Sequence, residues 1–285
     1  MSKRNMLLGL AAGKVGDLVF YRDGGEQRTR TRVIPKNPRS SRQMEQRVKI
    51  ANVSAFYRAF ANVLSDSFPN RPSHRSGYNE FSRAAISISP YLTKEMVSAG
   101  VCVASPYQVA KGNIASLPFQ LVNEREGAGV TLAVAGLAAE DTSVGAVSAA
   151  LLAAYPQLQN GDKLVSLIGD FVQLTGTDNV YFKAVQPTVA VFEIDTTSDS
   201  SILDSHISVS EGLLSFTVVS TVGWVSGALF ASRVDGNGRL DVSSASMVLE
   251  GDTLSTYETL RSESAMLDAI ESYGVGEQKI LREWD

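Results

Sequence analysis

Cysteine and histidine are scarce: 285 residues contain a single cysteine, Cys102, and two histidines, His74 and His206. One thiol excludes an intramolecular disulfide framework and a Cys-rich zinc site. Two imidazoles leave little material for histidine-based metal or catalytic designs. No run of about 18 apolar residues occurs, which excludes a transmembrane helix of ordinary length. With 44% hydrophobic and 20% charged residues, 23 glycines and 9 prolines, the chain is neither wholly disordered nor collagen-like. It is long enough for one large domain or two modest ones.

Charge is plentiful and unevenly placed. The net charge is only -4, yet residues 1–85 hold 16 Lys+Arg against 6 Asp+Glu, and the remaining 200 hold 10 against 24. Such a division points to an end that faces anions, either phosphates or the carboxylates of an acidic partner, and a separate acidic body. Lys3 and Arg4 before the apolar run Met6 to Ala12 imitate an export signal. That run is at the short limit and is soon interrupted by Lys14, so secretion is not expected.

The N-terminal region reads as a hairpin over residues 14–34. Val15 to Tyr21 is apolar and β-rich, Arg22 to Glu26 supplies the turn, and Gln27 to Ile34 returns. Arg28, Arg30 and Arg32 alternate with Thr29 and Thr31, so a strand puts the three guanidinium groups on one face, about 6.6 Å apart. Asn37-Pro38 breaks the strand. Ser40-x-x-Gln43 is a capping-box pattern opening a helix from Arg42 to about Ser65. Its first turns carry Arg42, Arg47 and Lys49. Its second half carries an apolar stripe including Phe56, Tyr57 and Phe60, expected to face a core or an assembly partner. A second helix is expected from Gly77 to Ala85.

Beyond residue 100 the texture becomes β-rich. Strands are expected at 101–104, 117–122, 130–134, 164–168, 180–185, 189–194, 207–209, 213–219, 227–234 and 240–248. A helix is expected over Ser143 to Tyr155, and a last one from Leu254 to about Ser272 with Gly274 as its C-cap. The expected fold class is α+β. A basic hairpin-plus-long-helix region (1–88) precedes an acidic, sandwich- or barrel-like β-rich domain with one inserted helix (89–250), and a C-terminal helix and tail complete the chain (251–285).

Catalytic motifs are approached and missed. Gly9-x-x-x-Gly13-Lys14-Val15 is one residue short of a phosphate loop, and Val15 has no hydroxyl for magnesium. Asp235-Gly236-Asn237-Gly238-Arg239-Leu240-Asp241 opens like a calcium loop, but Arg239 and Leu240 stand where an oxygen ligand and a glycine are needed; a hairpin turn fits better. Asp204, Ser205 and His206 are adjacent, whereas triad members must converge from separate positions. Cys102 lies in an apolar stretch where a buried thiol is the default. No enzymatic activity, cofactor or metal is expected.

Two segments, Gly13-Lys14-Val15-Gly16 and Asn37-Pro38-x-Ser40-x-x-Gln43-x-x-Gln46-Arg47, together resemble the N-terminal motif of an uncharacterised protein family of Bacteroidota genomes and their phages. The resemblance covers the first 50 to 85 residues. It implies a structural protein of a phage or mobile element and carries no catalytic residue with it. The expectation is therefore a non-enzymatic, multi-copy virion component, assembled in the host cytoplasm, whose partners are other copies of itself or other virion proteins. Arg28, Arg30, Arg32, Arg39, Arg42, Arg47 and Lys49 would contact neighbouring subunits or packaged DNA, and Phe56, Tyr57 and Phe60 an assembly interface. Assembly would also tie down chain ends that otherwise fray. A protein that binds nucleic acid without sequence readout is the alternative; a host-surface adhesin, suggested by the β-rich body, ranks third. No membrane partner is expected.

Overall fold

A computed structural model describes residues 13–23, 26–33, 40–124, 127–138, 143–177, 180–202, 204–218 and 225–274. Arg39 and both chain ends lie outside these residues. The chain divides into two compact units, Met1–Arg39 and Ser40–Asp285. The boundary expected near residue 88 therefore falls much earlier, and the long helix belongs to the second unit.

In the first unit, β1 (Gly13–Val15), β2 (Leu18–Asp23) and β3 (Glu26–Thr31) form an antiparallel sheet in the order β1-β2-β3. The register sets Lys14 beside Val19 and Val19 beside Arg30, with Tyr21 beside Arg28. Side chains alternate across a pleated strand, so these residues share one face. The opposite face carries Leu18, Phe20 and their neighbours Thr29 and Thr31; Phe20 is the buried one, 7% exposed.

The second unit begins with α1 (Ser41–Ala59), α2 (Ala61–Leu64) and α3 (Gly77–Ala85), a 3-10 turn at Ile86–Ile88, and α4 (Lys94–Ser98). Next come β4 (Gln108–Ala110), β5 (Phe119–Glu124), β6 (Gly127–Ala133), α5 (Val144–Ala154), β7 (Lys163–Thr175) and β8 (Tyr181–Glu193). The remainder is β9 (Ile207–Ser210), β10 (Leu213–Val218), β11 (Val225–Val234), β12 (Leu240–Val242), β13 (Ala245–Ser246), β14 (Val248–Leu249), α6 (Gly251–Thr259) and α7 (Glu263–Ser272). Gly274 comes after α7 at φ +79°, the left-handed cap its position suggested.

Two sheets face each other, one ordered β5-β6-β10-β9 and the other β12-β11-β7-β8, the latter with β14 also on β11. The fold is thus α+β with a sandwich at its centre and a helix at its C-terminal end. Val130, Leu132, Leu214 and Phe216 of the first sheet pack against Leu164, Ile168, Leu229 and Ala231 of the second, and α5 adds Val147 and Leu151. Gly227 allows this approach: a Cβ there would lie 2.4 Å from Val130 Cγ1. The far side of β7 and β11 carries Val165, Leu167, Ala228 and Phe230 against helical residues. Covered on both faces, these strands read as apolar runs rather than alternations.

Helix α1 bridges two clusters. Met44 and Val48 meet Met266, Ala269 and Ile270 of α7, while Val53, Phe56 and Phe60 enter the sheet-and-helix core. Ser40 has the extended backbone of an N-cap, but its side chain accepts no capping bond. The bend at Phe60 (φ -116°, ψ 25°) separates α1 from α2.

Candidate interaction surface

The exposed cationic face of the first unit is built by period-2 geometry. Lys14, Val19 and Arg30 form a row across its three strands, and Arg28 with Tyr21 forms the next half-row. The Arg30 guanidinium lies 5.6 Å from the centre of the Tyr21 ring. Arg28 lies 3.9 Å from Glu26, both groups exposed, a pairing worth at most about 1 kcal/mol. Arg32 stands one step past β3, where its backbone N–H donates to the Asp17 carbonyl at 2.6 Å. Arg28, Arg30 and Arg32 are all exposed. Repeated guanidinium groups on an open sheet can take carboxylates or phosphates in forked hydrogen bonds.

Of the other basic residues singled out, Arg39 lies outside the described residues, and Arg42, Arg47 and Lys49 belong to the second unit. Arg42 and Arg47 are exposed on α1 of the second unit, and five residues apart they point to different sides of it. Lys49 corrects the expectation of a surface contact. It is 8% exposed, its Nζ lies 2.5 Å from Glu45 Oε1, and it sits over the Tyr91 ring at 5.4 Å. Buried charge of this kind is held by its partner and is not open to a ligand.

The aromatic stripe requires a second correction. Phe56 and Phe60 are 0% exposed, inside the core rather than on an assembly interface. Phe56 stacks near Phe81 at 5.9 Å and meets the edge of Tyr107 at 5.1 Å. Tyr57 is half-buried, with its ring 5.1 Å from Tyr78. Below them lies a closed polar network. Asn52 Nδ2 donates to the Val103 carbonyl and to the Tyr107 hydroxyl, Asn52 Oδ1 accepts from the Val103 N–H, and Tyr107 donates to Ser89 Oγ. Burial pushes the Tyr107 hydroxyl up to about 12.

The near-motifs serve the fold. Asp235 Oδ1 accepts from the backbone of Asn237 and Arg239, closing the turn between β11 and β12. Asp204 accepts from His206 N, and His206 Nδ1 lies 3.2 Å from the Thr217 carbonyl. Burial raises the Cys102 thiol to about 12, so it stays protonated and a poor nucleophile near neutrality. Asp162, 1% exposed, takes a two-pronged bond from Arg233 with both distances 2.7 Å, fastening the turn after α5 to β11. Among the described residues no group of three or more His, Cys, Asp and Glu could hold a metal, and no helix is long and apolar enough to cross a membrane.

Fold and site together define an α+β sandwich protein with a small cationic sheet at its N-terminal end. Comparison with family models, curated proteins and solved structures found no match to the chain.

Proposed function

We propose that this chain is a non-enzymatic assembly protein acting in multiple copies, and that its N-terminal unit is an arm that docks on carboxylates of a neighbouring subunit. The carrying observation is the exposed face of Lys14, Arg28 and Arg30 on a sheet in which Phe20 is the buried apolar residue among those described. Charge supports the choice of partner: residues 1–39 hold nine Lys+Arg against three Asp+Glu, while residues 40–285 hold 17 against 27. The resemblance of the N-terminal segments to a Bacteroidota and phage protein family suggests a bacteriophage particle as the setting, with assembly in the host cytoplasm. Docking of the same face on the phosphates of packaged DNA is the alternative reading.

Changing Arg28, Arg30 and Arg32 together to Ser separates the two. The expected result is a lower mass by light scattering after size exclusion, with DNA affinity the same before and after. A fall in DNA affinity for all sequences alike, with the log–log salt slope shrinking by up to about 2.7, would instead establish the phosphate reading. No change in either property sinks both.

A further inference from the structure

The body is acidic, yet one part of its surface is lined by cations. Two clefts of about 400 and 280 Å³ share Arg71 in their walls. Arg75 and Arg239 complete the cationic lining of the first, and Lys111 that of the second. Four cations therefore stand against two carboxylates, Asp66 and Glu80, reversing the sign of the unit as a whole. Among the described residues Glu80 is already committed. It binds Arg75 at 2.8 Å and Arg83 at 3.6 Å. No described carboxylate lies within 4 Å of Arg71, Lys111 or Arg239.

These three cations are held in place by backbone bonds and still have donors to offer. The loop between α2 and α3 is stiffened by Pro69 and Pro72 and by turn bonds from Arg71 N to Phe68 O and from Arg75 N to Pro72 O. Lys111 N donates to Ser67 O at 2.9 Å, which fixes that segment against the same loop. Arg239 N donates to Asp235 Oδ1 at 2.8 Å, and its guanidinium reaches Asn70 Oδ1 at 3.2 Å. Arg71 Nη1 donates to Phe68 O at 3.0 Å. Each guanidinium has five N–H donors, so one bond apiece leaves most of them for a ligand.

We infer that these neighbouring clefts form a phosphate-binding site, with the shared Arg71 central and Arg75, Lys111 and Arg239 around it. Several forked donors from separate segments match the four oxygens and multiple charge of a phosphate better than the two oxygens of one carboxylate. The site lies wholly on the second unit and is independent of the docking reading of the arm. The same chemistry is offered by a small phosphate ion or ester and by the backbone of nucleic acid.

The test uses the full-length chain with two probes, pyrophosphate observed by phosphorus NMR and a labelled DNA duplex observed by anisotropy at low salt. Pyrophosphate binding is expected to weaken at least about tenfold in Arg71→Ser/Arg239→Ser. Partial recovery is expected in Arg71→Lys/Arg239→Lys, and no change in Arg28→Ser/Arg30→Ser/Arg32→Ser. Lys111 is exposed, so Lys111→Ser gives a milder loss without risk to folding; a thermal melt checks the others. Pyrophosphate that binds and displaces duplex identifies nucleic acid as the source. Pyrophosphate that binds where duplex does not identifies a small phosphate. Absence of pyrophosphate binding, or a loss no larger than that of Arg42→Ser on α1, overturns the site.

Discussion

Two of the protein's antiparallel hairpins, β2–β3 and β7–β8, share one backbone logic and differ in nearly everything else. In the first unit β2 pairs with β3, and Phe20 is the buried residue among those described. In the second unit β7 pairs with β8 over Lys163–Thr175 and Tyr181–Glu193, with Leu164 and Ile168 covered on one face and Val165 and Leu167 on the other. Ladder hydrogen bonds are alike in both, and cross-strand pairs contribute about 0.2–1 kcal/mol each. Such small sheets are marginal alone; burial makes the difference. The longer hairpin is stabilised by its own fold. The shorter one leaves Arg28 and Arg30 exposed, as the proposed docking on carboxylates requires.

The largest effect expected on this contrast comes from Phe56→Ala. Phe56 is fully buried among Phe60, Phe81 and Tyr107, so truncation leaves a cavity and should cost about 3–5 kcal/mol. Denaturant unfolding of the full chain measures it. A loss below about 1 kcal/mol would show that the helical layer is not integral to the sandwich.

What the sequence made legible was local. The arginine alternation, the helices over Gly77–Ala85 and Val144–Ala154, and the cap at Gly274 all arise from spacing and turn chemistry within a few residues. Longer-range readings failed for identifiable reasons. Residues 101–104 have the composition of a strand and are buried without being one. The Asn52 amide, from 51 positions away, both donates to and accepts from Val103 in place of a neighbouring strand, and the Cys102 carbonyl accepts from Val185 N. The two strands expected at 180–185 and 189–194 are one. Pro187 lies inside it, because β8 is an edge strand where a missing N–H is tolerated. The single C-terminal helix is two, with Ser262 capping the second through a bond from Ala265 N. Arg71, Lys111 and Arg239 are too far apart in sequence for any motif to join them; loop packing alone assembles their clefts.

Alkaline pH should sharpen the contrast next. Cys102 and Tyr107 are both raised to about 12 by burial, from ordinary values of 9.0 and 10.0. A raised folded-state value favours the protonated form, so the contribution is intact below about pH 9 and is lost as pH climbs towards about 12. Between about pH 8 and pH 11 the unfolding free energy should fall by something on the order of 2–4 kcal/mol. The double variant Cys102→Ala/Tyr107→Phe should flatten that decline, since both titrating groups are gone. An undiminished pH dependence would mean that other groups govern alkaline unfolding.

The smallest effect is the most discriminating. Arg30→Gln removes one charge and the guanidinium over Tyr21 but keeps a long polar side chain on β3. An exposed substitution of this type should move the unfolding free energy by no more than about 0.5 kcal/mol. Self-association should nevertheless weaken by up to about 1 kcal/mol, or about fivefold, because the face loses one carboxylate partner. Arg47→Gln makes the same chemical change on an exposed position of α1 and should leave association as it was. Raising salt should shrink the difference between the two variants, since pairs between exposed charges are screened over about 8–10 Å at moderate ionic strength. Equal loss from both substitutions would show that association depends on net charge alone. The cationic face would then have no special part in assembly, and the distinction between a docking arm and a self-sufficient body would fail at its most specific point.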